Sequence, residues 1–226
     1  MTVFKGILPL HGPREALGVR PAAPSRLVLV TDPPSSLRSV SIRAASTPHQ
    51  KRAAAALVRR MYSWRGYRTQ AGSEDSRLVL AAWRGEDILA TLTLGKDSSR
   101  GLLADTLYGE ELAALRRLGR RVCEISRLAA DPDHGCPELL AALFRTAQAY
   151  GRNLLGATDA VIEVNPRHVR YYQRRFGFTP LGGRRHCPRV DAPAVLLHRE
   201  FPAPSPFPVL PWAECANESF PPPSAI

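Results

Sequence analysis

AVIEVNPRHVRYYQRRFGF, residues 160–178, reads as a strand, a capped helix, a stop and the start of a second strand. Residues 160–164 are a short apolar run. Asn165-Pro166 pairs an N-cap residue with a proline at the first helical position, and Gly177 ends the helix after Phe176. Upstream, 122–129 reads as another strand. Pro137-Glu138 then opens a helix whose apolar face is Leu139, Leu140, Leu143, Phe144 and Ala147, ending at Gly151. Strand, helix, strand implies a parallel pair joined by a right-handed crossover. Further out the pattern is antiparallel. Strands at 78–83 and 88–94 are joined by Gly85-Glu86-Asp87, and a final pair is read at 178–181 and 194–198. Val40, Ile42 and Ala44 alternate as a first strand. Thr47-Pro48-His49-Gln50 has the form of a capping box, followed by Ala54, Leu57, Val58 and Met61 at helical spacing. Glu110 and Glu111 open a helix striped by Leu112, Leu115 and Leu118 and closed by Gly119. The sum is a mixed α/β sheet. Neither G-x-G-x-x-G nor G-x-x-x-x-G-K-[ST] occurs, which removes the main support for a nucleotide-binding reading.

The chain has 226 residues, 44% hydrophobic and 23% charged, which is ordinary globular composition. No apolar run is long enough to span a membrane, and prolines and charge interrupt the N-terminus where a signal peptide needs its apolar segment. Cys123, Cys136, Cys187 and Cys215 are too few and too scattered for a disulfide framework, so a cytoplasmic setting is expected. Prolines break residues 1–37 into an N-terminal extension, and eight of the 25 residues in 202–226 are proline, an extended or disordered tail. The domain is 38–201. The formal charge is +11, and only three of the 31 basic residues are Lys. Such a domain suits an acidic partner, although GC-rich coding alone would give the same bias towards Arg.

The helix 165–176 with its Gly177-Phe178 exit resembles the fourth helix of the GNAT acyltransferase superfamily. A narrower likeness rests on four stretches in order. These are Leu92-Thr93-Leu94, Gly101-Leu102-Leu103-Ala104-Asp105, Arg120-Arg121-Val122-Cys123-Glu124-Ile125-Ser126-Arg127-Leu128-Ala129, and 189–197. Together they are similar to the bacterial N-acyl amino acid synthases (FeeM-like), and the Glu124/Arg127 spacing is similar to acyl-homoserine-lactone synthases. The resemblance implies a mostly antiparallel sheet with a parallel pair splayed at its centre and helices on both faces. It also implies an acyltransferase that takes its acyl group from acyl-carrier protein and passes it to an amino-acid acceptor. Ordinary acetyltransferases carry a glycine-rich loop whose N–H groups cradle the coenzyme A pyrophosphate. Here that loop reads Asp131-Pro132-Asp133-His134-Gly135-Cys136-Pro137, with two carboxylates and one glycine. An acyl-phosphopantetheine thioester on a carrier protein is expected as donor, with no bound cofactor.

Aminolysis of a thioester needs a base for the ammonium, a polarised carbonyl and a proton for the leaving thiolate. Glu124 is the candidate base, a carboxylate in an apolar strand where desolvation raises its pKa; a structural pair with Arg127 or Arg121 is the other reading. Period-2 geometry puts Glu124 and Ser126 on one face and Arg127 on the other. A bulge is needed to gather all three, and N–H groups at such a bulge would polarise the acyl carbonyl. The resemblance offers Tyr172 as the acid for the thiolate, one residue away from the usual family position; a core tyrosine is the alternative. Asn165 is an N-cap, and His168 either assists proton transfer or lies on the surface. Arg167, Arg170 and Arg174 share one helix face. With Arg175, Arg184, Arg185 and Arg189 they make seven Arg in 167–189 with no acidic residue, either a carrier-docking patch or a solvated face. The Cys and His spacings fit no metal site.

The expected activity is direct transfer of a long-chain acyl group from acyl-carrier protein to the α-amine of an amino acid. A coenzyme A-dependent GNAT acetyltransferase and a non-catalytic acyl- or carrier-binding module on the same fold are the rivals. Specific nucleic-acid binding is not expected, because no recognised binding motif accompanies the charge.

Overall fold

The structure is a computed structural model and describes residues 37, 39–67 and 77–202. Apart from Leu37 and Pro202, the N-terminal extension and the tail lie outside the described residues. Seven strands form one sheet in the order β1-β2-β3-β4-β5-β7-β6. In chain order the elements are β1 (Val40–Ala44), α1 (Pro48–Ser63), β2 (Leu78–Arg84), β3 (Asp87–Lys96), α2 (Asp105–Arg117), β4 (Val122–Ala130), α3 (Pro137–Asn153), β5 (Asp159–Val164), α4 (Val169–Phe176), β6 (Thr179–Cys187) and β7 (Ala192–Glu200). Among these pairings only β4 with β5 is parallel. It runs from Val122 opposite Asp159 to Ile125 opposite Ile162 and stops there, although both strands continue. The sheet therefore splays beyond Ile125 and Ile162, as the family resemblance implies.

Alternation in β4 sorts the two layers. Cys123, Ile125, Leu128 and Ala130 face a core made with α3 and α4 (Leu140, Leu143, Phe144, Tyr172, Phe176). Val122 and Ala129 face the other side, where α1 supplies Leu57, Val58, Met61 and Tyr62, and α2 supplies Tyr108, Leu112 and Leu115. A buried leucine contributes roughly 1.5–3 kcal/mol, so these two layers clamp the sheet between them. The capping box at α1 forms as read: the Gln50 N–H donates to Thr47 Oγ1 at 3.2 Å, and the Thr47 N–H to Gln50 Oε1 at 3.3 Å.

Four sequence expectations need correction. First, α2 starts at Asp105, not Glu110, and its apolar stripe stops at Leu115, because Leu118 is 77% exposed. Asp105 accepts the Leu102 N–H at 2.6 Å, and the helix kinks at Tyr108 (φ −129°), so Glu110 begins only its second part. Second, Gly151 does not end α3, which runs on to Asn153; a Cβ there would meet the Phe201 ring at 3.1 Å, so the glycine serves close packing. Third, 165–176 is a 3-10 turn at Pro166–His168 followed by α4, with Gly177 left-handed (φ 66°) at its end. Fourth, β6 is more than twice the length read for it. The run Gly182-Gly183-Arg184-Arg185 looks like a loop but pairs with β7 across two register shifts.

Candidate active site

β4 carries one residue more than β3 across the splay. Thr93 pairs with Ser126 while Thr91 pairs with Ala129, and Arg127 adopts φ 52°. This is the β-bulge that the sequence required in order to gather Glu124, Ser126 and Arg127 on one side. Glu124 and Ser126 project towards the α1 and α2 layer, both buried. The Arg127 charge acts on the Tyr62 hydroxyl of α1, on that same side.

Glu124 is 2% exposed, and its Oε2 accepts the Leu103 N–H at 2.7 Å. Burial, and next the charge of Glu163, push its carboxyl up to about 7. The Leu103 hydrogen bond and the Arg77 charge pull the other way. Glu163 lies on β5, one residue past the last β4–β5 pair, and is equally buried. Its Oε2 accepts from Arg189, and the Cys187 thiol lies 3.8 Å from the same oxygen. Arg189 also donates to the Leu103 carbonyl at 2.7 Å. The Leu103 peptide thus ties the two carboxylates together, its N–H to Glu124 and its C=O to the cation on Glu163. Tyr108 holds α2 in place: its one hydroxyl proton is shared between the Ala194 carbonyl at 2.9 Å and the Gly183 carbonyl at 3.1 Å.

The remaining candidates lie apart from this cluster. Tyr172 is buried in an aromatic group with Phe144, Tyr171, Phe176 and Phe178, in the layer opposite Glu124. Asn165 caps the 3-10 turn by accepting the Arg167 N–H at 3.2 Å. His168 accepts from Arg167 Nε at 3.1 Å, and burial, then the Arg167 and Arg65 charges, depress it to about 4. At neutral pH its ring is uncharged. Arg167, Arg170, Arg174 and Arg175 are exposed. The seven-arginine patch is smaller than its sequence: Arg185 pairs with Glu111 at 2.6 Å and stacks on Tyr108, and Arg189 turns inward to Glu163. Both were read as unopposed only because their carboxylates lie on distant elements.

Sequence reasoning missed Glu163, Tyr62 and the inward Arg189. For Glu163 the signal existed, since it is a carboxylate inside an apolar strand just as Glu124 is. For Tyr62, at the end of α1, nothing in the sequence marked it.

The turn before α3 is closed on itself. Asp131 accepts from the Asp133 N–H at 2.9 Å, from His134 at 3.2 Å and from Arg60 at 2.5 Å. Burial raises the Asp131 carboxyl, but these partners outweigh it and hold it below the usual range. Cys136 caps the helix by accepting the Leu139 N–H at 3.4 Å. Among the described residues no cluster of His, Cys, Asp and Glu has the makings of a metal site, and no helix is long and apolar enough to cross a membrane. Two surface clefts, of about 330 and 290 Å³, are lined by residues around Arg116 and around Phe144, and neither includes Glu124.

The profile of the N-acyl amino acid synthase FeeM family matches residues 53–200. Among solved structures, the chain is similar to FeeM, an N-acyl amino acid synthase from uncultured soil microbes. The identity is 26%, the TM-score 0.66, and the match covers 71% of this chain and 91% of FeeM. It shares its fold with Escherichia coli ElaA (14% identity, TM-score 0.52, 71% of this chain and 99% of ElaA). An N-acetyltransferase from Staphylococcus aureus Mu50 has it too (11% identity, TM-score 0.51, 71% and 97%). Among curated proteins none matches.

Proposed function

The chain belongs to the N-acyl amino acid synthase FeeM family, and from that premise we propose that it moves a long-chain acyl group from acyl-carrier protein to the α-amine of an amino acid. Its acyltransferase character follows from the family and the GNAT fold; the donor, the acceptor and the residues are the reading argued here. The observation that carries it is Glu124, a buried carboxyl brought to about 7 beside the splay between β4 and β5. A base with a pKa near the working pH is matched to deprotonating an ammonium.

In this reading Glu124 takes one proton from the acceptor ammonium. The freed amine nitrogen attacks the thioester carbonyl carbon, so the C–N bond forms and the carbonyl oxygen gains charge. Backbone N–H groups at the Arg127 bulge stabilise that charge. The attacking nitrogen sheds its second proton as the amide forms and the C–S bond breaks. That proton reaches the departing phosphopantetheine thiolate through Tyr172, which takes one proton as it gives one up, so that Glu124 alone ends protonated. The amide and a free thiol are the products, with no acyl-enzyme intermediate. Asp131 supports a carrier-bound donor over free coenzyme A. Its carboxylate fills the turn where an anion would sit, and an anion beside an ionised carboxylate is repelled. The exposed Arg167, Arg170 and Arg174 give an acidic carrier protein a surface to meet. Carrier-dependent acyl transfer belongs to the bacterial cytoplasm, where this reading places the chain.

The test is reconstitution of the purified chain with a mixture of amino acids and either acyl-carrier-protein thioester or the matching coenzyme A thioester. N-acyl amino acids formed faster from the carrier-bound donor support the reading. Equal or faster use of coenzyme A contradicts the donor assignment and favours the acetyltransferase-like alternative.

A further inference from the structure

Three buried side-chain oxygens near the splay have no hydrogen-bond partner among the described residues: Ser126 Oγ, Tyr62 OH and Glu163 Oε1. Their residues are only 4%, 3% and 2% exposed. A buried polar atom without a partner is costly, and such atoms in a native fold call for an explanation. The same strand supplies the contrast. Asp159, at the other end of β5 and pointing to the same face, is fully enclosed by Arg120 at 2.7 Å, His198 at 2.6 Å and Thr158 at 2.5 Å. This fold closes a structural buried carboxylate on both oxygens. Glu163 is closed on one only, by Arg189 and Cys187, and its other oxygen is left open.

The three oxygens belong together. Ser126 and Glu163 each follow the last paired residues, Ile125 and Ile162, and so flank the splay from its two strands. Tyr62 stacks edge-on against Tyr67 and lies within electrostatic reach of Arg127 first, then of Tyr67, Cys187 and Glu163. Every one of the three can accept a hydrogen bond. A carboxylate or phosphate brings no donor for the open Glu163 oxygen, whose charge Arg189 already offsets, and a lone hydroxyl would donate to one of them only. A primary ammonium brings three N–H donors and a positive charge.

We propose that Glu163, with the hydroxyls of Tyr62 and Ser126, forms an ammonium-binding subsite that holds the acceptor by its primary amine, a role distinct from that of Glu124. The proposal rests on the amine-acylation reading above. The two carboxylates divide the work. Glu163, fixed by Arg189, anchors the amine as a cation, and Glu124, with Oε2 already held by Leu103, receives the proton. Glu163 is a binding residue and takes no proton itself.

The test uses the full chain as wild type, Glu163→Gln, Glu163→Asp and the double variant Tyr62→Phe/Ser126→Ala. Product formation with pooled amino acids identifies the acceptor and tests the acyl-transfer reading. Titration calorimetry with that acceptor and with its deaminated analogue tests the subsite. Glu163→Gln is expected to weaken acceptor binding about 10- to 100-fold, to leave the deaminated analogue and the donor KM unchanged, and to be partly rescued by Glu163→Asp. Unchanged acceptor affinity, or equal weakening of both ligands, overturns the proposal. If Glu163→Gln loses its near-ultraviolet circular dichroism, the double variant decides. About tenfold weaker amine binding upholds the subsite, and unchanged binding overturns it. If the wild type acylates no amino acid, the acyl-transfer reading fails for that acceptor class. The titration is then run with n-butylamine: binding that Glu163→Gln removes upholds the subsite, and no binding by the wild type overturns it.

Discussion

Glu124 occupies the second strand position after Val122 on the face towards α1 and α2, with Glu163 as its charged neighbour across the splay. Two consequences follow from a carboxyl that titrates near 7. The rate first: kcat/KM is expected to rise with pH through about 7 and then level off, and Glu124→Gln is expected to remove the rise together with most of the activity. A flat profile in the wild type excludes Glu124 as the base. Stability second: the folded value is raised above the unfolded one of about 4.3. Its contribution is therefore full below about 4.3 and is lost as pH climbs through 7. Glu124→Gln escapes that loss, so at pH 8 it is expected to be the more stable protein by up to ~4 kcal/mol, and at pH 4 to match the wild type in denaturant unfolding. Tyr172 is the second residue to settle. Tyr172→Phe keeps the ring among Phe144, Phe176 and Phe178, so any change in rate reports on the hydroxyl. A loss of roughly 10- to 100-fold in kcat with the fold intact is expected if it protonates the thiolate; an unchanged kcat makes it packing alone.

The elements explain why the site assembles where it does. The parallel pair separates after Ile125 and Ile162, the bulge at Arg127 turns β4, and the loop leading into α2 brings the Leu103 peptide between the carboxylates. That loop is held by Tyr108, whose ring needs Gly182: a Cβ at Gly182 would lie 2.4 Å from the ring. Gly182→Ala is therefore expected to destabilise by roughly 1–3 kcal/mol and to lower kcat/KM by shifting Leu103 from Glu124. Wild-type stability and activity in this variant would break the link between β6 and the site. The elements also show how far the sequence could be read. The capping box, the Gly119 and Gly177 stops and the 3.6-residue stripes, Leu118 of α2 excepted, were legible because each is a local signal. The second half of β6 was not, because Gly182 and Gly183 are there for the Tyr108 ring and for register shifts set by β7, neither of which is local. The bulge was legible only as a requirement: Glu124, Ser126 and Arg127 share a side only if the alternation breaks. Glu163 carried the same sign as Glu124, a carboxylate in an apolar strand, but its meaning depends on which strand stands opposite.

At the scale of the molecule, the exposed arginines and the Glu124 cluster lie on opposite layers. Arg167, Arg170 and Arg174 face solvent on the α4 side, while Arg185 and Arg189 are spent on Glu111 and Glu163. Replacing the three exposed arginines by alanine is expected to raise KM for a carrier-bound donor several-fold, more so at low salt, and to leave a pantetheine thioester unaffected. Equal losses on both donors would place the effect in the fold. The central claim, that this chain acylates amino acids through Glu124, is met most directly by mass spectrometry of lipid extracts from bacteria expressing the wild type beside Glu124→Gln. The account predicts N-acyl amino acids in the wild-type extract that are absent with Glu124→Gln. No new acylated amine from soluble, folded wild-type protein, or equal amounts from both, would contradict it.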